Sequence, residues 1–214
     1  MRRLAVLASG SGTNLQALLD AIAGGTLEAE VVVVVSNRAE AGALRRAADM
    51  RVATVALPLS NRHDPVARQA YDLQLADVLL AFKPDLLVLA GWMLILTPPF
   101  LRRFPDRIVN IHPALLPDDG GCEVFTSRGP LPALRGARVV RDALESGLPV
   151  TGASVHYVTD AVDAGPVILR QEVPVLADDD EMRLHERIKI VEHQLLPRAV
   201  AMALAAMTTS TMEG

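Results

Sequence analysis

Leu4-Ala5-Val6-Leu7-Ala8-Ser9-Gly10-Ser11-Gly12-Thr13-Asn14 passes from an unbroken apolar run through a glycine-rich turn into a helical pattern. The same succession continues through the first half of the chain. Apolar runs at residues 4–8, 31–35, 52–57, 86–90 and 107–111 are separated by helical patterns at 13–23, 40–49, 65–82 and near 98–103. Four of these runs lack polar alternation, as expected of strands covered on both faces. Alternating strands and helices specify an α/β fold with a doubly wound, mainly parallel sheet. Such sheets bind ligands beyond the carboxyl ends of their strands. Residues 9–14 and 110–113 each follow a strand, so they can converge on one cleft.

The second half reads differently. Residues 137–147 form a helical pattern ending at Gly147, a suitable position just past a helix. Residues 150–158 and 167–175 are strand candidates, and their short connection predicts a C-terminal antiparallel pair. A late helix is predicted over 181–205, which Pro197 kinks or ends. Residues 208–214 carry no apolar face and read as a frayed tail. There are no repeats and no linker dividing the chain.

With 214 residues, the chain is long enough for one large domain with a substantial core, or at most two small ones. Half of it is hydrophobic but only 3% is aromatic, so Ala, Val and Leu must fill that core. A net charge of -4 argues against a broad nucleic-acid footprint. The single cysteine, Cys122, cannot form an internal disulfide and points to a reducing compartment. The apolar stretch after Met1-Arg2-Arg3 stops at Ser9, too early for a secretory signal, and no run approaches a membrane span. These features predict a cytoplasmic protein that acts without a membrane or nucleic-acid partner.

Three groups of residues carry chemistry. The turn at residues 8–14 lets backbone approach a ligand, and amides at a helix start can hold an anion. A third glycine of the dinucleotide spacing would fall at Leu15, and no P-loop lysine is present. A single phosphate ester therefore fits better than a dinucleotide. The plainer reading is that Thr13 or Asn14 serves as an N-cap. Asn110 and His112 lie two apart at a strand end, on one face, where Pro113 stops the strand. A carboxamide donor beside an imidazole suits acyl or formyl transfer, with charge developing on a carbonyl oxygen as a nucleophile loses its proton. Alone, the pair reads more readily as a polar strand end. A carboxylate near His112 would raise its pKa. Asp160 and Asp163 are equal candidates for that carboxylate, and a turn would account for both.

Taken together, Gly10-Ser11-Gly12-Thr13-Asn14, Ala90-Gly91-Trp92-Met93, Asn110-Ile111-His112-Pro113-Ala114-Leu115-Leu116-Pro117, Thr151-Gly152-Ala153-Ser154-Val155-His156 and Val162-Asp163-Ala164-Gly165-Pro166-Val167-Ile168 resemble the phosphoribosylglycinamide formyltransferase family. The motifs keep the family's order over roughly residues 3–205. The resemblance implies a Rossmann-like formyltransferase fold, a single domain over 1–207, and formyl transfer from 10-formyltetrahydrofolate to the amine of glycinamide ribonucleotide in purine biosynthesis. It implies small-molecule substrates, no metal, and leaves a homodimer open. By the same resemblance Asn110, His112 and Asp163 are catalytic, with Ser154 and His156 in support. Gly12, Thr13 and Asn14 match the phosphate loop, and Glu192 matches a ribose-binding carboxylate. Arg68 and residues Met93, Leu94, Ile95 and Leu96 match the folate site.

Two departures stand out. About fifteen extra residues follow Leu116-Pro117, read as an inserted loop at 118–130, and beyond it Arg135 and Arg138 replace the usual Pro and His. Such an insertion is either functional or a tolerated surface loop. Leu94 stands where a basic residue is common. Among competing functions, a methionyl-tRNA formyltransferase would need a further domain and a basic surface. A formyltetrahydrofolate hydrolase would carry an N-terminal regulatory domain, whereas here the sheet begins at Leu4. An N-formyltransferase of an amino sugar nucleotide is the nearer enzymatic alternative, and a non-catalytic folate or nucleotide binder the alternative of another class. A metal-dependent hydrolase fits poorly, because the five histidines are scattered without ligand spacing.

Overall fold

A computed structural model describes residues 1–59 and 64–212. In chain order the elements are β1 (Arg2–Leu7), α1 (Thr13–Ala23), β2 (Ala29–Ser36), α2 (Gly42–Asp49), β3 (Thr54–Ala56), α3 (Pro65–Ala81), β4 (Leu86–Leu89) and α4 (Pro98–Leu101). They continue with β5 (Ile108–His112), β6 (Glu123–Thr126), β7 (Gly129–Pro132), α5 (Val139–Glu145), β8 (Val150–Tyr157), β9 (Val167–Pro174) and α6 (Glu181–Met212). Seven strands form one sheet in the order β3-β2-β1-β4-β5-β8-β9. The first five are parallel, whereas β8 runs antiparallel to both β5 and β9. The mainly parallel sheet with its antiparallel C-terminal pair is the architecture the strand spacing predicts.

The apolar strands of the first half are explained by coverage on both faces. Leu4, Val6 and Ala8 join Val88, Val109 and Ile111 in a core closed by α1, α2, α5 and α6. Ala5, Leu7, Leu87, Leu89 and Ile108 face the other way, against α3, α4 and Phe104. Chain order reverses between β1 and β4, so their carboxyl ends open a crevice at the topological switch point.

Three features differ from expectation. The segment read as an inserted loop at 118–130 contains a hairpin of β6 and β7, which runs on to Pro132. Its two strands flank the two-residue connection Ser127-Arg128, and Val124 is its buried residue. Glu172 on β9 accepts hydrogen bonds from the Ser127 amide and hydroxyl, at 2.7 and 2.5 Å. Arg170, two residues away on the same strand face, pairs with Asp118 at 2.8 Å. The hairpin is thus latched to the sheet edge at both ends. Pro197 neither breaks nor ends α6. It removes one helical donor, but Leu195, Leu196, Ala199 and Val200 around it are buried in the core and hold both halves in line. The helix also continues past 205 to Met212, and Thr208 is engaged by Arg2 at 2.7 Å. Residues 213–214 of the expected tail lie outside the described residues. No helix among the described residues is long and apolar enough to cross a membrane.

Phe100 of α4 is fully buried and packs on Phe104 with ring centroids 5.1 Å apart, under the loop that follows β4. Replacing it with alanine is expected to lower stability by about 3–5 kcal/mol, the usual cost of emptying a buried phenylalanine site. Urea unfolding followed by circular dichroism measures this, and a loss below about 1 kcal/mol would contradict the packing described.

Candidate active site

Along β5, Val109 and Ile111 enter the core on the α1 and α6 side, and the alternation turns Asn110 and His112 to the opposite face. Their partners across the antiparallel ladder are His156 and Ser154. Directly opposed side chains in such a ladder touch, and Asn110 Nδ2 lies 3.2 Å from His156 Nε2. Ser154 is buried and fastens the turn after His112: its hydroxyl donates to Ala114 O at 2.8 Å and accepts from Leu116 N at 3.0 Å.

Asp163 is the carboxylate brought to both imidazoles. Its Oδ2 lies 3.6 Å from His112 Nδ1, and its Oδ1 lies 3.6 Å from His156 Nε2. Asp160, the other candidate, lines the same cleft without such a pairing. The other ring nitrogen of His112, Nε2, sits 2.9 Å from Leu134 O. Gly136 N donates to Asp163 Oδ2 at 2.9 Å. Burial alone would push the Asp163 carboxyl up, but the His156 ring, the His112 ring and the Gly136 amide outweigh it. The group therefore lies below its ordinary value.

For His112 the balance goes the other way and corrects a sequence-based expectation. The nearby carboxylate does act to raise its pKa, as does Leu134 O, but burial is the larger effect and the net shift is downward. His156 and Arg135 add smaller downward influences. In the ligand-free site the imidazole is thus a buried neutral base with a carboxylate close by.

The glycine-rich turn leads into α1 with Gly12 as its N-cap. Gly12 has φ of 76°, and a Cβ there would lie 2.5 Å from Ala43 Cα, so a side chain is excluded. No side chain caps this helix start. The N-cap reading of Asn14 therefore gives way: its Nδ2 donates instead to Glu192 Oε2 at 3.0 Å, with both residues buried. Burial raises the Glu192 pKa, and the Asn14 hydrogen bond opposes this. Lys189 and His185, one and two turns earlier on α6, line the cleft as well. They escaped the sequence reading, although their spacing of three and seven residues from Glu192 places all three on one helix face.

These groups share a cleft of about 470 Å³ with residues 89–96, which supply a mainly apolar wall. Met93, Leu94, Ile95 and Leu96 line it as expected, and Met93 N donates to Ser9 Oγ at 3.0 Å. Arg68 does not reach the cleft. Its guanidinium is bound to the buried Asp72 and donates to Ile95 O at 2.7 Å, bracing the wall from behind. Asp72 also accepts from Thr97 N at 2.8 Å. Two buried polar atoms on cleft residues, Asn14 Oδ1 and Trp92 Nε1, have no hydrogen-bond partner among the described residues. No cluster of potential metal ligands occurs among the described residues.

Because Asp163 holds the His112 pKa up against burial, Asp163→Asn is expected to move the imidazole's titration further down. Ring-proton shifts followed against pH by NMR read this directly, and an unchanged or higher midpoint would remove Asp163 as the partner. The downward shift of His112 also fixes a sign. The unfolded chain binds its proton from about pH 6.5 downward, before the folded site does, so stability falls as the pH is lowered through that value.

Comparison with known proteins identifies the family. A formyl transferase family model matches residues 2–200. The chain is 44% identical over 199 residues to phosphoribosylglycinamide formyltransferase of Mycobacterium tuberculosis, covering 93% of this chain and 83% of that protein. It is 39% identical to the trifunctional purine biosynthetic protein adenosine-3 of Drosophila melanogaster, with 94% of this chain covered but only 14% of that much longer protein. Glycinamide ribonucleotide transformylase 1 from Symbiobacterium toebii superposes with a TM-score of 0.81 at 41% identity, over 94% of this chain and 86% of that one. With nearly its whole length matched, the chain belongs to the formyl transferase family, among the phosphoribosylglycinamide formyltransferases.

Proposed function

We propose that this protein transfers the formyl group of 10-formyltetrahydrofolate to the amine of glycinamide ribonucleotide, a step of purine biosynthesis, with Asn110, His112 and Asp163 as its catalytic group. The observation that carries this reading is the meeting, in one cleft, of that trio with an uncapped helix start suited to a phosphate. Residues 12–14, with Lys189 and Glu192, would hold the ribonucleotide, the cation near the phosphate and the carboxylate on sugar hydroxyls. Residues 93–96 would hold the folate through apolar contact and backbone groups, and Arg68 would serve that site by fixing the Ile95 carbonyl.

The chemistry follows from the trio's state. His112, kept neutral by burial, accepts the proton released as the substrate amine bonds to the formyl carbon. The imidazolium so formed lies beside the ionised Asp163, which stabilises it and holds its orientation. Asn110 has two amide hydrogens on Nδ2. One faces His156, and the other is available to the negative charge developing on the formyl oxygen. When the bond from formyl carbon to folate nitrogen breaks, His112 returns its proton to that nitrogen, directly or through water.

Release of tetrahydrofolate from 10-formyltetrahydrofolate in the presence of glycinamide ribonucleotide tests the assignment. Amine-independent hydrolysis, or turnover of an amino sugar nucleotide alone, would overturn it. Asn110→Ala is expected to lower turnover on the order of 10²–10³-fold, the usual loss for one oxyanion donor. Binding of both substrates should change much less, and near-normal turnover would exclude Asn110 as an oxyanion donor.

A further inference from the structure

Asp163 has φ of +50°, in the left-handed region that side-chain-bearing residues rarely occupy. Such a conformation persists where its surroundings enforce it. Arg135 and Gly136, just beyond the hairpin, bond to Asp163 itself, and the residue before them, Leu134, holds His112 beside it. Leu134 O lies 2.9 Å from His112 Nε2, Arg135 Nε donates to the backbone oxygen of Asp163 at 2.9 Å, and Gly136 N donates to its carboxylate at 2.9 Å. Of residues 134–136, only Arg135 makes its contact through its side chain. The same Arg135 guanidinium donates from Nη2 to Gly120 O at 3.0 Å and Gly121 O at 2.6 Å, in the turn that precedes β6.

We infer that Arg135 is a positioning residue, whose guanidinium fork ties the Asp163 turn to the start of the 118–132 segment and so sets where the catalytic carboxylate stands between His112 and His156. This rests on the reading of Asp163 as part of the catalytic trio. The fork is what the geometry demands. Its three acceptors are carbonyl oxygens on two separate turns, so a planar group with several fixed donors can span them, whereas a lysine ammonium on a flexible stem can satisfy fewer at once. Residues 118–132 thereby become a strut for the site, latched to β9 at the hairpin turn through Glu172 and at its start through Arg170.

Arg135→Lys and Arg135→Ala test this together, with far-UV circular dichroism verifying the fold. Both variants are expected to lose about ten- to a hundredfold in kcat, the scale set by small misplacements of a catalytic group. KM for the amine and for the folate should change little. A second readout needs no turnover: the His112 titration in the ligand-free protein, followed by NMR. The charged or titratable groups facing that ring are Asp163, His156 and Arg135 itself. Lysine keeps the last charge, so a looser Asp163 contact should move the midpoint down in Arg135→Lys. A lysine variant with wild-type kcat and titration would overturn the proposal, leaving at most a role for charge. Lower melting temperatures with kcat and the titration both unchanged would overturn it too. Failure of the wild-type protein to formylate glycinamide ribonucleotide would instead strike the functional assignment, and the titration still decides the role of Arg135.

Discussion

The register of β5 against β8 is the constraint on which the site depends. Asn110 opposes His156 and His112 opposes Ser154, and all four belong to the antiparallel junction where the parallel strands meet the C-terminal pair. A one-residue slip of β5 would turn Asn110 and His112 into the core beneath α1 and α6 and take the Ile111 side chain out of it. The hydrophobic pattern forbids this, because Val109 and Ile111 are then lost from the core. Catalytic geometry is thus maintained by apolar burial on the opposite face of the same strands.

Burial has a second consequence at this junction. His112 and His156 are almost wholly buried, yet each ring nitrogen faces a polar atom of the protein. A buried polar network is tolerable when its members are satisfied. Here it also tunes the chemistry: desolvation lowers His112 while Asp163 limits the fall, which leaves a base able to take a proton and a carboxylate ready to stabilise the result. Either effect alone would spoil the balance. Burial without Asp163 would weaken the base, and Asp163 without burial would keep the ring charged before the amine arrives.

How much of this was legible in the sequence follows the range of the interactions. The sheet was legible, since unbroken apolar runs such as residues 4–8 and 86–90 reflect coverage on both faces. So was the pairing of Asn110 with His112 on one face, a consequence of strand geometry alone. The choice of Asp163 over Asp160 was not available from local residues, because it depends on a fold-back of β8 and β9 that brings the turn to β5. The hairpin in residues 118–132 went unread because its strands are four residues each and bury little beyond Val124. Arg68 was placed in the folate site by resemblance, but the partner four residues along its own helix, the buried Asp72, decides where its guanidinium points. The net shift of His112 was misjudged for a related reason. A neighbouring charge can be inferred from sequence, whereas the depth of burial is a property of the assembled fold.

The two sides of the cleft therefore differ in kind. The phosphate side is built by one local transition, β1 into α1, completed by a single long-range contact from Asn14 to Glu192. The catalytic side is assembled from the end of β5, the middle of β8, the turn at Asp163 and residues 134–136, segments far apart in the chain. A site assembled that way needs connectors, and backbone hydrogen bonds from the sheet reach only the first two of its parts. The remaining two are loops, whose mutual position is fixed by side chain-to-backbone contacts such as those of Arg135. An insertion next to such loops is not neutral to the chemistry. Once anchored at Glu172 and Arg170, it offers carbonyl acceptors at fixed positions, and a rigid multi-donor side chain can use them to hold a strained aspartate in place.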